Sequence, residues 1–280
     1  MENQLTQKIP ATLPQLLKLD SYKQRFTEVL GKNSAAFTSS LLTIFRESDK
    51  LQKCEPKSII TAAVTAAALQ LPIAPQLGYA YIVPYGDKAT FAIGYKGLIQ
   101  LAMRSGQFKT INASEVYDGQ IKDIDFITGE IVRGDKISDT VVGYVAYIEL
   151  LNGFKKSLYM TRDEMENYAL RYSDSYRADR KKTWSTWAKS FDAMAKKTVL
   201  KKLLSTYAPL SLETQNAELA TALKADQAVI SKDNFTYPDN GGEVVERAEE
   251  FKFDTVDVNT GEVIEEEIDP FVTADDVDKE

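Results

Sequence analysis

Residues 78–106, GYAYIVPYGDKATFAIGYKGLIQLAMRSG, carry the clearest signals of secondary structure in this chain. The first part of this stretch, 79–85, places tyrosines on one side and small or apolar residues on the other, which is the period-2 pattern of a β-strand. A turn at Gly86 can lead into a second strand over 88–93, and a short helix over 94–105 follows. The stretch therefore predicts a β-hairpin followed directly by a helix.

Helices are predicted before this stretch, and strands and helices are predicted after it. Ahead of it, apolar spacing and a proline in a first helical turn predict three helices. Behind it, alternating segments predict an antiparallel sheet, and an Asn-Gly pair is a strong hairpin signal between its last two strands. The predicted class is α+β, with β-hairpins and an antiparallel sheet packed on helices. The helices are predicted over 22–31, 34–50, 56–71, 161–172, 176–205 and 211–229, and the strands over 108–117, 124–133, 140–151 and 154–160.

Charge divides the chain into unlike parts. The formal net charge is −7, from 41 acidic and 34 basic residues. Residues 211–280 hold 20 of the acids and 5 of the bases, a net of −15, which leaves a net of +8 in residues 1–210. Such asymmetry is typical of proteins that bind polyanions. We expect a basic core over 1–210, a helical extension over 211–232 and an acidic disordered tail over 233–280.

Two interpretations of the tail stay open. It is either a solubilising extension, or a segment that competes with nucleic acid for the core or presents short motifs such as Asp269-Pro270-Phe271 to a partner protein.

Composition excludes most catalytic chemistry. The chain has no histidine, so Ser-His-Asp and Cys-His nucleophile systems and imidazole metal sites are excluded. Cys54 is the single cysteine, which excludes an intrachain disulfide and cysteine-based metal sites. No G-x-x-x-x-G-K-[ST] loop occurs, so ATP hydrolysis is not expected. We predict no catalytic residue, no metal site and no cofactor, and a Mg²⁺ requirement stays open.

No targeting or membrane segment is predicted. The N-terminus, MENQLTQKIP, lacks the basic and apolar regions of a signal peptide. The longest apolar stretch, 59–74, is too short to span a bilayer. A cytoplasmic protein with no membrane partner is expected.

The predicted helix over 176–205 is strongly basic, with nine Lys and Arg residues against two acids. At 100° per residue its aromatic residues fall on one side, where they are expected to dock the helix, and three lysines spaced by seven fall almost opposite. A solvated face usually mixes both signs of charge, so we interpret these lysines as a stripe that follows phosphates, with an ordinary solvated face as the alternative. The aromatic side holds Trp184, Trp187 and Phe191; the stripe holds Lys182, Lys189 and Lys196; and Arg177, Lys197 and Lys201 complete the candidates.

A second candidate surface lies on the opening stretch. The hairpin combines tyrosines with a lysine at its turn, and three polar residues at i, i+4 and i+8 share one edge of the next helix. Basic residues interleaved with aromatics suit single-stranded nucleic acid, because bases stack and phosphates attract cations. Cross-strand packing of the tyrosines and an ordinary exposed edge are the alternatives. The candidates are Tyr79, Tyr81 and Lys88 on the hairpin and Lys96, Gln100 and Arg104 on the helix.

Two blocks of the sequence resemble the RecT family of phage and prophage single-strand annealing proteins. The first is the PYG turn, the GYKGLIQLA run and the RSG helix end within 78–106, and the second is W…F..M..KTVLKKLLS over 187–205. The resemblance covers roughly 30–205 and leaves the tail outside it. It implies a compact core of hairpins packed on helices, ATP-independent binding of single-stranded DNA, annealing of complementary strands into duplex DNA in homologous recombination, and homo-oligomeric rings or helical filaments.

The resemblance also implies partner proteins. One is a companion exonuclease that exposes the strands. A C-terminal portion concerned with protein partners is implied too, and a host single-stranded-DNA-binding protein is one candidate for it.

Two other functions stay open. The pattern of a metal-dependent nuclease, PD…ExK, matches formally at Asp239 and at Glu250 and Lys252, but such chemistry needs carboxylates held rigidly, and these positions fall in the predicted tail. The third possibility is a scaffold whose basic face binds RNA or an acidic protein.

Overall fold

The computed structural model describes residues 12–210 and 217–230 and four short strands within 234–264; side chains are described for 12–210 and 217–228. The predicted α+β class is confirmed. The helices are α1 Leu13–Leu16, α2 Asp20–Leu30, α3 Ser34–Glu47, α4 Pro56–Ala68, α5 Tyr95–Arg104, α6 Arg162–Tyr172, α7 Asp174–Ala178, α8 Thr186–Lys189, α9 Phe191–Tyr207 and α10 Ala217–Ala225. The strands are β1 Ala80–Tyr85, β2 Lys88–Ile93, β3 Phe108–Tyr117, β4 Ile121–Ile124, β5 Ile131–Arg133, β6 Val141–Leu150, β7 Lys155–Thr161, β8 Val229–Ile230, β9 Asn234–Tyr237, β10 Glu243–Glu246, β11 Thr255–Val256 and β12 Val263–Ile264.

The predicted hairpin is confirmed as the antiparallel pair β1–β2, with Tyr85 opposite Lys88 at the turn. Its inner face, which includes Ala80 and Ile82, is buried and packs on α4. Alanines occupy much of the buried surface of α4, so strand and helix can approach closely. Tyr81 and the residues two positions away from it along the strand lie on the outward face of β1.

Two glycines explain why α5 follows the hairpin so closely. A Cβ at Gly94 would lie 2.1 Å from the carbonyl oxygen of Gly78, and a Cβ at Gly97 would lie 2.2 Å from that of Tyr79. Only glycine allows the first turn of α5 to rest against the chain that enters β1. The spacing of glycines in GYKG is therefore a packing requirement.

A three-stranded antiparallel sheet in the order β3-β6-β7 forms a second layer. Tyr144, Ala146 and Ile148 of β6 are fully buried on its inner face, and α9 packs across all three strands. Val199 and Leu203 of α9 are fully buried as well. The sheet, α9 and the β1–β2 hairpin contribute to one hydrophobic core.

The prediction of a single strand over 124–133 is wrong. The segment forms parts of a hairpin, β4–β5, and the turn between its strands. The Asp125 carboxylate accepts hydrogen bonds from the backbone N–H groups of Ile127 (2.8 Å) and Thr128 (3.0 Å), and Gly129 has the φ of 71° that closes the turn. A side chain that bonds its own backbone favours a turn over a strand. We call β4, β5 and the turn 125–130 the arm.

The continuous helix predicted over 176–205 is also wrong. The segment forms α7, α8 and α9, with a loop at 179–185 and a break at Ser190. Asp179 and the side chain of Ser185 accept hydrogen bonds from backbone N–H groups that a continuous helix would have bonded to its own carbonyl oxygens. These N–H groups therefore keep hydrogen-bond partners where the helix is interrupted. The regular seven-residue spacing of the three lysines consequently does not form one stripe.

Within the helical extension predicted over 211–232, the described residues form the helix α10 and then the short strand β8; residues 211–216, 231 and 232 lie outside the described residues. α10 contacts α5, α9 and β2, which makes it part of the core. Within the predicted tail, β9 pairs with β8 and β10, and β11 pairs with β12. The disordered tail stays a prediction, because apart from these short strands residues 233–280 lie outside the described residues.

Among the described helices, none is both long and apolar enough to cross a membrane.

Candidate nucleic-acid interface

The loop at 179–185 is built around one buried carboxylate. Asp179 is buried and accepts hydrogen bonds from the backbone N–H groups of Thr183 (3.0 Å), Trp184 (2.9 Å) and Ser185 (2.9 Å) and from the Ser185 hydroxyl (3.0 Å). Burial alone would raise the pKa of Asp179, but these hydrogen bonds outweigh it and hold the pKa well below its ordinary value. The loop is therefore held in one shape by a charge at its centre.

Lys182 turns inward from this loop. Its backbone φ is 54°, its Nζ donates to the carbonyl oxygen of Tyr176 at 2.9 Å, and the same atom lies 3.4 Å from the centre of the Tyr176 ring. The cation–π contact and the hydrogen bond engage its charge within the protein. Lys182 thus stabilises the loop and does not lie on an outward stripe.

The same loop directs other side chains outward. Arg180 and Lys181 are exposed, and Trp184 as a residue is 49% exposed. The sequence prediction placed Trp184 on the docking side of a helix, and that placement is wrong, whereas Trp187 and Phe191 do pack against each other inside. Neither Arg180 nor Lys181 was among the predicted candidates, although Asp179 as the only acid in a basic run was an available signal of a folded loop.

Two segments that are distant in sequence contact this loop and the helix before it. The Nζ of Lys50, which precedes a 3₁₀ turn, lies 5.9 Å from the centre of the Trp184 ring. The hydroxyl of Tyr85, at the tip of the hairpin, donates to the carboxylate of Asp174 at the start of α7. Tertiary structure therefore brings the hairpin tip to the start of α7, the helix that leads into the basic loop. We call the exposed residues Lys50, Arg177, Arg180, Lys181 and Trp184 the basic loop face.

Arg177 is the one predicted candidate on that face. It is exposed, forms an ion pair with Asp174 and donates to the carbonyl oxygens of Leu170 and Arg171 at the end of α6 (3.2 and 3.1 Å). A second predicted candidate, Lys189, is exposed at the end of α8.

The hairpin supplies a second group of predicted candidates. Tyr81 is half-buried on the outward face of β1, and its hydroxyl and the Lys96 side chain both lie 3.6 Å from the position of a Cβ on Gly78. Tyr81 and Lys96 are therefore neighbours. Tyr79 packs against the core, as the alternative interpretation of the tyrosines allowed. Lys88 forms an ion pair with Glu55 at 2.8 Å, and Gln100 is half-buried on α5.

Four predicted basic candidates instead connect elements of the core. Arg104 donates to the carbonyl oxygens of Leu69 and Gln70 beyond the end of α4 (2.7 and 3.0 Å) and pairs with Glu218 of α10 at 3.3 Å. Lys196 pairs with Glu115 of β3 at 2.8 Å. Their charges are satisfied by partners far away in sequence, and that information is absent from helical spacing.

Lys197 and Lys201 share one buried partner. Their ammonium groups lie 3.3 and 2.6 Å from the carboxylate of Asp226, and the Lys197 side chain is 12% exposed. Burial lowers the pKa of Lys197, and the charge of Asp226 opposes that shift. We leave both lysines out of the candidate interface because their ammonium groups face the protein interior.

Comparison with known proteins gives three matches. The model of the RecT family matches residues 35–240. The chain is 45% identical to the Uncharacterized protein YqaK of Bacillus subtilis (strain 168) over 209 residues, which cover 74% of this chain and 71% of that protein. It is 32% identical to Protein RecT of Escherichia coli (strain K12) over 206 residues, which cover 68% of this chain and 74% of that protein. The region matched by the family includes both the hairpin and the basic loop face.

Proposed function

The chain belongs to the RecT family, and from this premise we propose that it binds single-stranded DNA through the basic loop face and anneals complementary strands in homologous recombination. We propose further that annealing needs no ATP and that several copies act together along a strand.

The observation that carries the proposal is the position of Trp184. Trp184 is half-exposed on a loop whose backbone is fixed by a buried carboxylate, so the ring is presented in a defined orientation. A base stacked on such a ring contributes about 1–3 kcal/mol, whichever base it is. This tolerance suits a protein that has to hold any sequence.

Cations beside the indole suit the phosphates of the same strand. Arg180 and Lys181 are exposed on the loop, and the Nζ of Lys50 lies over the Trp184 ring, 5.9 Å from its centre. Contacts to phosphate position a strand without reading its sequence. Stacking and phosphate contact within one small surface favour single-stranded DNA over a duplex, whose bases are already stacked.

The hairpin extends this surface in our proposal. Tyr85 donates a hydrogen bond to Asp174 of α7, and Tyr81 lies farther along the outward face of β1, with the Lys96 side chain of α5 near its hydroxyl. A six-residue strand is about 20 Å long. A strand of DNA that follows β1 from the basic loop face would meet an aromatic ring and a cation a second time.

Annealing follows from these contacts by simple electrostatics. Two DNA strands repel each other through their phosphates, and cations along one strand reduce that repulsion. If the protein holds phosphates and base faces, the pairing edges stay accessible to a second strand. Base-pair stacking then contributes roughly 1–2 kcal/mol per step, so pairing itself can drive the reaction.

Two variants and a matched control test the binding surface. Trp184→Ala is expected to raise the Kd for single-stranded DNA by about 5- to 150-fold, the equivalent of 1–3 kcal/mol, on all sequences alike. Lys181→Ala is expected to reduce the salt dependence of binding by about 0.7 in log–log slope, the value for one phosphate contact. Lys32→Ala is the control, because Lys32 precedes α3 and Lys50 follows it, which separates them by about 20 Å.

Annealing is measured by mixing two complementary fluorescent oligonucleotides with the protein, without ATP and both with and without Mg²⁺. Faster duplex formation than in protein-free samples is expected. No acceleration under either condition, or unchanged Kd for Trp184→Ala, would contradict the proposal. Release of nucleotides with Mg²⁺ or Mn²⁺ would favour a nuclease, whose formal motif at Asp239, Glu250 and Lys252 lies outside the described residues. Preference for RNA would favour a scaffold.

Partner proteins and location belong to the same proposal. We propose a companion exonuclease that exposes the strands, and contact with a host single-stranded-DNA-binding protein through the C-terminal region, in the cytoplasm. Co-purification of such proteins with the full-length chain, lost on removal of the acidic segment, is the test.

A further inference from the structure

The tip of the arm presents two large apolar side chains to water. Phe126 is 92% exposed and its neighbour Ile127 is 77% exposed. Single exposed apolar residues are ordinary, but here two adjacent ones lie on a turn that Asp125 holds through two hydrogen bonds. A rigid display lowers the entropy lost on binding, which is typical of a contact surface.

A groove of matching character lies on the same molecule. It has a volume of about 530 Å³ and is lined by Leu151, Phe154, Tyr207 and Pro209, among others, where β6 turns into β7 and α9 ends. Leu151 is 69% exposed, and the rings of Phe154 and Tyr207 lie 6.4 Å apart. We call it the apolar groove.

The arm does not fill this groove within one chain. The carbonyl oxygen of Thr128 accepts a hydrogen bond of 2.6 Å from Lys156, whose Nζ lies 5.3 Å from the centre of the Tyr207 ring. That contact fixes the turn near the groove, yet Phe126 keeps almost all of its exposure. In a single copy, the apolar side chains of the tip therefore stay exposed to water and the tip leaves the groove unfilled.

Charge on the two surfaces is complementary. The tip is flanked by the acidic residues Asp123, Asp125 and Glu130. β7 begins beside the groove with Lys155 and Lys156, which within one copy contact the Glu149 carboxylate at 3.7 Å and the carbonyl oxygen of Thr128 at 2.6 Å. Opposite charges around two apolar surfaces favour their association and fix its orientation.

We infer that the arm tip of one copy of this chain packs into the apolar groove of a second copy. The inference deepens the proposed function and rests on it for its purpose, since copies that bind one strand side by side need a contact with each other. Because the contact joins two different surfaces, a copy without a tip and a copy without a groove can complement each other.

Three variants test the inference in the full-length chain. Phe126→Asp combined with Ile127→Asp removes the apolar tip, and Leu151→Asp places a charge in the groove. Met103→Asp is the matched control, because Met103 is an exposed apolar residue of α5. Circular dichroism and thermal unfolding establish that each variant folds. The masses of the assemblies are measured by analytical ultracentrifugation over a range of concentrations, alone and on long single-stranded DNA.

The expected result is that wild-type protein and the control form assemblies of equal mass, while the tip and groove variants are smaller. An equimolar mixture of the tip and groove variants is expected to form pairs that neither forms alone. Wild-type protein that stays monomeric throughout, or variants with wild-type masses, would overturn the inference.

Affinity for an oligonucleotide short enough for one copy separates this inference from the proposed function. The tip and groove variants are expected to bind it within about twofold of wild type. Loss of that affinity at unchanged mass would show that the tip contacts DNA instead of a second copy. Failure of wild-type protein to bind the oligonucleotide would refute the proposed function and leave the mass comparison intact.

Discussion

Replacing Asp226 with asparagine is expected to destabilise the core severely. Asp226 is 1% exposed and accepts from Lys197 at 3.3 Å and Lys201 at 2.6 Å. It also accepts the backbone N–H of Ile93 at 2.9 Å, at the end of β2. One carboxylate thus joins the segment after α10 to α9 and to the hairpin. The neutral amide would leave two lysine charges facing the interior without a counter-charge.

Removal of one partner from a buried ion pair costs about 3–5 kcal/mol, against a total stability of about 5–15 kcal/mol for a domain. For a chain of this size the loss corresponds to a Tm lower by roughly 10 °C.

The loss is expected to depend on pH. Burial lowers the pKa of Lys197, and Asp226 opposes that shift, so Asp226→Asn lowers the pKa further. Between that folded pKa and the unfolded value of about 10.4, the unfolded state binds more protons, so the stability of the variant rises with pH. The wild type behaves differently in acid: burial raises the pKa of Asp226, but Lys197 and Lys201 outweigh it and lower the pKa overall. The stabilising contribution of the Asp226 carboxylate is therefore present above about pH 4 and is lost as the pH falls through its lowered pKa.

Thermal unfolding followed by circular dichroism at pH 7 and pH 10 measures both effects. Asp49→Asn, at an exposed position, controls for a lost carboxylate. Lys197→Met combined with Asp226→Asn is expected to recover part of the loss, since it removes one of the two charges left without a counter-charge. A Tm of Asp226→Asn within about 2 °C of wild type, or a loss of Tm that is equal at pH 7 and pH 10, would contradict the role of Asp226 as the counter-charge of the buried lysines.

Three other outcomes are expected. Gly97→Ala would place a Cβ 2.2 Å from the carbonyl oxygen of Tyr79; a Tm lowered by several degrees is expected, and an unchanged Tm would show that α5 can shift. Lys182→Gly is expected to change the affinity for single-stranded DNA less than Lys181→Gly does, because the Lys182 ammonium donates a hydrogen bond within the protein. Equal losses of affinity for the two variants in a salt titration would show that Lys182 also contacts DNA. Truncation after Ile230 removes 17 acidic and 4 basic residues, so affinity for single-stranded DNA should rise at low salt and converge with the full chain near 0.15 M salt, where screening acts over about 8 Å; weaker binding by the truncated protein would show that the acidic segment is no competitor.

Local signals in the sequence were sufficient for much of the fold. The alternation in 79–85 and the glycines around it predicted the β1–β2 hairpin and α5, because strand pairing and helix caps depend on residues within a few positions. The same holds for the helix predicted over 161–172, where the Thr161 side chain accepts a hydrogen bond from the backbone N–H of Glu164. Each of these elements is specified by contacts that are short in sequence.

Local signals also explain the two errors. Asp125 and Asp179 each bond backbone groups two to six residues ahead, and such bonds end a strand or a helix that periodicity alone would continue. Periodicity measures where apolar residues recur, and one well-placed carboxylate can override it.

The amino-acid sequence is sufficient for the α+β class, the family, the excluded catalytic chemistries and the division into a basic body and an acidic C-terminal segment. Which basic residues face solvent depends on the tertiary structure. Lys196, Lys201 and Arg104 find their acidic partners 81, 25 and 114 residues away, while Arg180 and Lys181 are exposed on the loop that holds Trp184. A charge is engaged or available according to what packs against it in space, whereas helical spacing describes only neighbours along the chain.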